Sequence, residues 1–254
     1  MNKVPVSVVV IAKNEEARIG ECLRSVEGWA GEIVVVDDES TDGTVEIAKR
    51  HGAAVYRRKM DNEGAHRNWA YAQARQPWVL SLDADETVTE ELKAEIAAAV
   101  TNTALDAFSI PMRNFIGSSW VRHGGWYPAN KLRLFKKGRF SYEEVGVHPR
   151  AILDGKRGSL TQDIIHKGYP DFEHFLASLN RQTTLEANKW IETGRRMSLA
   201  HALRRIVGRF LRSFFWKKGY KDGFMGLMVA YFASLYQIMS YAKYWQIRKE
   251  AGIK

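Results

Sequence analysis

Apolar and polar positions along the first hundred residues follow two alternating periods. Val6 to Ala12 is a β-branched run, and Glu32 to Asp37, Ala53 to Tyr56 and Trp78 to Leu82 are further apolar stretches of strand length. Between them apolar residues recur at helical spacing. Ile19, Leu23 and Val26 mark a helix over Glu15 to Val26, and Val45, Ile47 and Ala48 mark one over Asp42 to His51. A third helix is predicted over Glu63 to Ala74, and Thr87 or Thr89 offers a cap to a fourth ending near Val100. Strands alternating with helices of this length predict an α/β fold with a mostly parallel, doubly wound sheet.

The texture changes after Leu105. Short β-like pieces (Ala107 to Ile110, Lys131 to Phe135, Ala151 to Leu153) are broken by Gly and Pro as far as Ile165, a mixed-sheet half suited to lining an acceptor pocket. From Asp171 onward the pattern is helical. Phe172, Phe175, Leu176 and Leu179 share one face, and Leu199 to Phe215 and Gly223 to Gln246 supply two more helices. The expected division is an α/β domain over 1–168 and a helical region over 169–254.

Composition narrows the function. The 254 residues are 45% hydrophobic and 26% charged, an ordinary globular balance. The single cysteine, Cys22, excludes a disulfide framework and a cysteine-based zinc site, and fits a reducing compartment. No secretory leader is read at the amino terminus. A net charge of +9, concentrated in the second half, favours nucleic acid, anionic lipid or phosphorylated ligands. No zinc-finger spacing or ribonucleoprotein strand motif is present, so nucleic acid is not an expected partner.

Polar clusters follow three of the predicted strands: Lys13-Asn14-Glu15-Glu16, Asp37-Asp38-Glu39-Ser40-Thr41-Asp42-Gly43-Thr44, and Asp83-Ala84-Asp85-Glu86. In an open α/β sheet these converge on the carboxyl edge, where ligands bind. Carboxylates one residue apart at such a rim can hold a hard divalent cation, although two acids after a strand also serve as a turn or a cap. Asp38 can accept hydrogen bonds from a uracil imide or ribose hydroxyls, or close an Asx-turn. Asn14 and Glu15 open a predicted helix whose amides favour anions, and Glu15 also complements the helix dipole. Arg67, early on the third helix with Asn68, can pair with a diphosphate or remain solvated.

The order and spacing of these clusters resemble the family 2 glycosyltransferases of GT-A fold over Val6 to Glu86. Gly64-Ala65-His66-Arg67-Asn68-Trp69-Ala70, Gly125-Trp126-Tyr127-Pro128, Leu132-Arg133-Leu134-Phe135 and Val147-His148 are similar to the branch that includes bacterial lipopolysaccharide-core glucosyltransferases. The resemblance implies an inverting, Mg²⁺- or Mn²⁺-dependent transfer from a nucleotide sugar, a UDP-sugar above all, to a glycolipid such as the lipopolysaccharide inner core. It also implies that Asp38, Asn14, Glu15, Arg67, Asn68 and Asp83 bind the nucleotide. Asp85 is then the direct metal ligand, Asp83 touches ribose or a metal-bound water, and His166 completes the metal site. By itself, a lone histidine after two isoleucines is more often a satisfied core residue.

An inverting transfer needs a general base. The branch commonly carries Val-His-Glu, whereas this chain has Val147-His148-Pro149, which shifts the expectation to Glu144 or, second, Glu143. In the tail, Arg204, Arg205, Arg209, Arg212, Lys217, Lys218 and Lys221 interleave with Phe210, Leu211, Phe214, Phe215 and Trp216, a mixture suited to an anionic membrane surface. Gly223 to Ala242 is uncharged over a length that can span a bilayer. A cytoplasmic enzyme peripheral to the bacterial inner membrane is expected. The rivals are a sugar-nucleotide nucleotidyltransferase, whose glycine-rich activation loop is missing, and a non-catalytic membrane-surface protein retaining the fold.

Overall fold

A computed structural model describes residues 3–101, 103–144 and 150–252. The chain runs β1 (Val4–Ala12), α1 (Ile19–Arg24), β2 (Ala30–Asp37), α2 (Thr44–Arg50), β3 (Ala54–Arg57), α3 (Glu63–Ala72), β4 (Trp78–Asp83), β5 (Glu86–Val88) and α4 (Glu90–Thr101). Short strands follow: β6 (Ala107–Ile110), β7 (Met112–Ile116), β8 (Ser119–Trp120), β9 (Lys131–Lys136), β10 (Phe140–Tyr142), β11 (Ala151–Leu153), β12 (Arg157–Ser159) and β13 (Ile164–Tyr169). The chain ends in α5 (Phe172–Glu192), α6 (Leu199–Leu211) and α7 (Gly223–Glu250).

Two compact units emerge, Met1–Met112 with Asn130–His166, and Arg113–Ala129 with Lys167–Lys254. Segment 113–129, read from the sequence as part of the first domain, clusters with the helical unit instead.

The first unit is built on a seven-stranded sheet in the order β12-β6-β9-β4-β1-β2-β3. β3, β2, β1 and β4 run parallel, while β9 lies antiparallel to both β4 and β6. The central strands are apolar on both faces because helices cover both, so Val6, Val8, Val9 and Val10 are all buried. One side packs Val9, Val34, Val36 and Val79 against Ala70, Tyr71, Phe135 and Phe140. Register then places the chemistry. Ala12 pairs with Asp37 and Ile11 with Asp83, so two carboxylates flank the carboxyl end of β1. A separate antiparallel pairing of β5 with β13 sets His166 opposite Glu86.

The first helix is shorter than its apolar spacing predicts, starting at Ile19 instead of Glu15. The residues before it are drawn toward the loop after β2. The amides of Asn14, Glu15 and Glu16 donate to Ser40 Oγ, Thr44 Oγ1 and Asp42 Oδ2 at 2.8, 2.7 and 3.1 Å. Asn14 takes φ 53°, a left-handed conformation that asparagine tolerates better than most residues. Thr89 does cap α4, accepting from Leu92 N at 3.2 Å.

In the second unit Ile116, Val121, Phe175 and Val229 form a core with Trp126, Tyr169, Phe172, Met225 and Phe232. α7 buries Gly226, Val229, Ala230, Ser234, Gln237, Ser240 and Tyr244, a mostly small and polar seam. Met225 and Phe232 of α7 pack into that core, whereas its Phe224, Leu227, Tyr231 and Trp245 are exposed.

Candidate active site

The acidic loop after β4 is held by two arginines. Arg67 on α3 reaches Asp83 Oδ1 at 3.0 Å, and Arg133 on β9 reaches Asp83 Oδ2 at 2.6 Å. Arg133 also donates to Glu86 Oε1, whose second oxygen accepts from Asp83 N at 2.9 Å. Both Arg133 and Glu86 are buried. Burial opposes ionisation of Asp83, but the Arg133 and Arg67 guanidinia outweigh it and hold the carboxyl far below its ordinary value. Burial dominates for Glu86 and pushes its carboxyl up despite Arg133. The Arg133 guanidinium is kept above its ordinary value by Asp83 and Glu86 against the cost of burial.

Asp85 points elsewhere. Its Oδ2 lies 3.4 Å from His166 Nε2 and 3.7 Å from an Arg18 guanidinium nitrogen, with about a fifth of each acidic and imidazole side chain exposed. Burial works to raise the Asp85 carboxyl, and the His166 contact overcomes it, leaving a lowered value. A carboxylate oxygen and an imidazole nitrogen at this separation fit adjacent positions around one divalent cation. Asp83 does not fit as a third ligand, since both its oxygens face guanidinia. Among the described residues no group of three or more His, Cys, Asp or Glu side chains converges on one point. Asp85 and His166 are thus the two side chains here that could hold such a cation.

The other predicted residues bind one loop to the next. Asp38 is buried, accepting from Met60 N at 2.8 Å and Lys13 Nζ at 2.9 Å. Burial works against its ionisation, but these two donors leave the carboxyl below its ordinary value. Beside it Asp37 receives Ser40 N at 3.1 Å on Oδ2, while its buried Oδ1 has no partner. Asn14 accepts from Thr41 N at 2.9 Å. Glu15 forms a bidentate pair with Arg18 at 2.7 and 2.8 Å, and burial raises its carboxyl more than Arg18 lowers it. The Asn14 and Glu15 amides, expected to greet an anion, are already engaged by Ser40 and Thr44.

Asn68 latches α3 to β10, exchanging hydrogen bonds with the Tyr142 backbone at 2.9 and 2.8 Å. Its amide also donates to Glu144 Oε1 at 3.3 Å. Glu143 turns back to accept from Arg150 N at 3.3 Å, so of the two glutamates only Glu144 is tied to α3. The Val147-His148-Pro149 triplet lies outside the described residues. Cys22 is buried beneath this edge, 3.6 Å from the Asp83 carbonyl, and burial pushes its thiol well up.

Sequence reasoning assigned no task to Arg133. A lone arginine in an apolar strand, Leu132-Arg133-Leu134-Phe135, was the available signal, because a buried charge demands a partner.

The model of the family described as glycosyl transferase family 2 matches residues 7–151, a span that takes in both acidic loops and both arginines. The chain belongs to glycosyl transferase family 2. It is a glycosyltransferase with the GT-A fold. The lipopolysaccharide core biosynthesis glycosyltransferase LpsC of Rhizobium meliloti (strain 1021) is 28% identical over 259 residues, covering 96% of this chain and 93% of LpsC. A Rickettsia typhi glycosyltransferase, RT0209, is 29% identical over 237 residues, covering 88% of this chain and 80% of its own. Among solved structures, the mannosyltransferase PcManGT from Pyrobaculum calidifontis, in complex with GDP-Man and Mn²⁺, superposes with a TM-score of 0.56 at 14% identity, covering 98% of this chain and 89% of that one.

Proposed function

We propose that this glycosyltransferase is inverting and divalent-cation-dependent, and that it moves a sugar from a nucleotide sugar, a UDP-sugar, to a glycolipid such as the lipopolysaccharide inner core. The observation that carries the reading is the Asp85–His166 pair, an oxygen and a nitrogen donor 3.4 Å apart, Asp85 in the turn between β4 and β5 and His166 on β13, which pairs with β5. The similarity to LpsC over nearly its whole length supports the acceptor class. The Mn²⁺ and nucleotide sugar in the PcManGT complex agree with a donor brought in with a metal ion.

Asp85 and His166 would hold the cation, whose chemistry here is to neutralise charge on the departing nucleoside diphosphate. Asp83, fixed by Arg67 and Arg133, presents its remaining lone pairs toward ribose. Asp38 and the loop laced to Asn14 bind the base. Glu144, steadied by Asn68, takes the proton from the acceptor hydroxyl as that oxygen attacks the anomeric carbon and the bond to diphosphate breaks. Replacing Glu144 by Gln should slow transfer by roughly 10²–10⁴ with donor affinity kept. Normal transfer by that variant, with loss in Glu143→Gln, would move the role to Glu143.

Asp85→Ala tests the centre of the reading. Its fold should persist, because the side chain sits at a rim, while transfer disappears. In the parent, chelator should stop transfer and Mn²⁺ or Mg²⁺ restore it. Undiminished transfer in excess chelator would refute metal dependence.

The work site is proposed to be the cytoplasmic membrane surface, and the exposed apolar residues Phe224, Leu227, Tyr231 and Trp245 of α7 support it, since exposed apolar area of this kind suits an apolar environment better than water.

A further inference from the structure

The hairpin formed by β7 and β8 carries a cationic cluster that the donor chemistry does not use. Phe115 pairs with Trp120 and Ile116 with Ser119, and Val121 N donates to Asn114 O at 3.0 Å. Continued by two residues, that register places Arg113 and Arg122 opposite each other on the face that bears Trp120. Both guanidinia lie against the indole, with their carbons 4.9 and 4.5 Å from the ring centroid. Tyr127 meets the same ring edge-on, at 5.4 Å and 89°. The indole Nε1 is buried and makes no hydrogen bond.

The segment after Trp120 is held in place. Asp222 accepts from Arg122 N at 2.9 Å, His123 N at 2.7 Å and His123 Nδ1 at 2.6 Å. Ser213 Oγ donates to Gly124 O at 3.1 Å. Arg122 is therefore anchored at its backbone while its side chain stays exposed. Stacking on an aromatic face removes much of the freedom a guanidinium would otherwise lose on binding. A planar fork held this way matches a carboxylate or phosphate through two parallel N–H bonds.

We propose that Arg122, Trp120 and Arg113 form a subsite for an anionic sugar, a pyranose bearing a carboxylate or a phosphate, within the acceptor glycan. The proposal rests on the glycosyltransferase reading above and names the acceptor's chemistry. Charge selects the residue, and the indole fixes the guanidinium plane.

The test uses the full chain and small probes. Glucuronic acid, glucose 6-phosphate, glucose and inorganic phosphate are titrated by saturation-transfer NMR, with UDP plus Mn²⁺ binding measured in parallel. One or both charged sugars should bind about tenfold or more tightly than glucose, and the better of the two identifies carboxylate or phosphate as the group recognised. Arg122→Gln should remove most of that preference, and Arg122→Lys should not restore it, since an ammonium cannot stack as a plane. Trp120→Ala, which removes the ring on which both guanidinia stack, should weaken the charged sugars several-fold. UDP binding should be unchanged in all three, which also shows that they are folded. Equal binding of glucose and the charged sugars, or full retention by Arg122→Gln, overturns the proposal. Inorganic phosphate binding as well as glucose 6-phosphate removes the sugar from it. Loss of anionic vesicle binding with sugar binding intact reassigns the cluster to a lipid surface. Failure of UDP binding in the parent strikes the donor reading, whereas charged-sugar binding lost alone strikes only this subsite.

Discussion

Arg133 governs the acidic loop after β4. Its guanidinium neutralises Glu86, which has no exposure, and holds one oxygen of Asp83, leaving Asp85 to His166. Arg133→Leu strands the Glu86 charge in the interior, and losing one partner of a buried pair costs about 3–5 kcal/mol. Urea unfolding should show that loss, and Arg133→Leu with Glu86→Leu should recover a large part of it. A double variant no more stable than the single one would mean that Arg133 acts through packing and not through Glu86. Asp38 permits a prediction in pH. Its folded carboxyl lies below the ordinary 3.8, so its stabilisation is complete above that value and is lost as pH falls through the folded one. Asp38→Asn should lower the melting temperature at pH 7, and the gap should narrow as the pH is taken below 3.8. A gap that stays constant as the pH falls well below 3.8 would assign the effect to shape and not to charge.

At the scale of elements, the strands were legible because burial on both faces leaves little choice of residue. β6, buried throughout, falls where the apolar run places it, and β4 ends at the predicted Asp83. The pairing of Asp85 with His166 is a different matter. The residues are 81 positions apart, and no local periodicity states that β13 lies antiparallel to β5. A resemblance supplied that contact, and register accounts for it. The start of α1 was misplaced because helical spacing from Ile19 to Val26 carries no information about Ser40, Asp42 and Thr44, which take the preceding amides. Likewise, Gly64 reads as a poor helix former until its neighbour is known. A Cβ there would collide with the Glu143 carbonyl, so glycine allows the strand end carrying Glu143 and Glu144 to lie on the first turn of α3. Gly64→Ala should destabilise by about 1–3 kcal/mol, as overpacking does. Hydrogen exchange at the Tyr142 amide, bonded to Asn68 Oδ1 at 2.8 Å, should quicken more than at the central strands. Unchanged protection at Tyr142 would show that the latch tolerates the methyl group.

For the whole molecule, the distribution of apolar surface is the unusual quantity. Leu199, Leu203, Val207, Leu211, Phe215 and Trp216 are all exposed on α6 and the turn that follows it, and Trp216 is 82% exposed. Arg204, Arg212, Lys217, Lys218 and Lys221 lie among them in sequence. One helical stretch, Gly219–Glu250, is long and apolar enough to cross a bilayer, with a mean hydropathy of 1.3 in its best window. Two modes of membrane contact therefore compete, and salt separates them. Apolar insertion is insensitive to ionic strength, whereas attraction between basic side chains and anionic headgroups is screened, with a Debye length of about 3 Å at 1 M salt. If α6 and its basic turn dock on the surface, the full chain should bind vesicles containing anionic lipid, bind neutral vesicles weakly, and be partly released by 1 M salt. Lys217→Glu with Lys218→Glu should weaken anionic binding at low salt and leave UDP binding intact, because neither residue belongs to the nucleotide site. Equal, salt-resistant partitioning onto neutral and anionic vesicles would reject surface docking in favour of insertion through Gly219–Glu250. Absence of partitioning onto either would assign the exposed apolar face to contact with another protein.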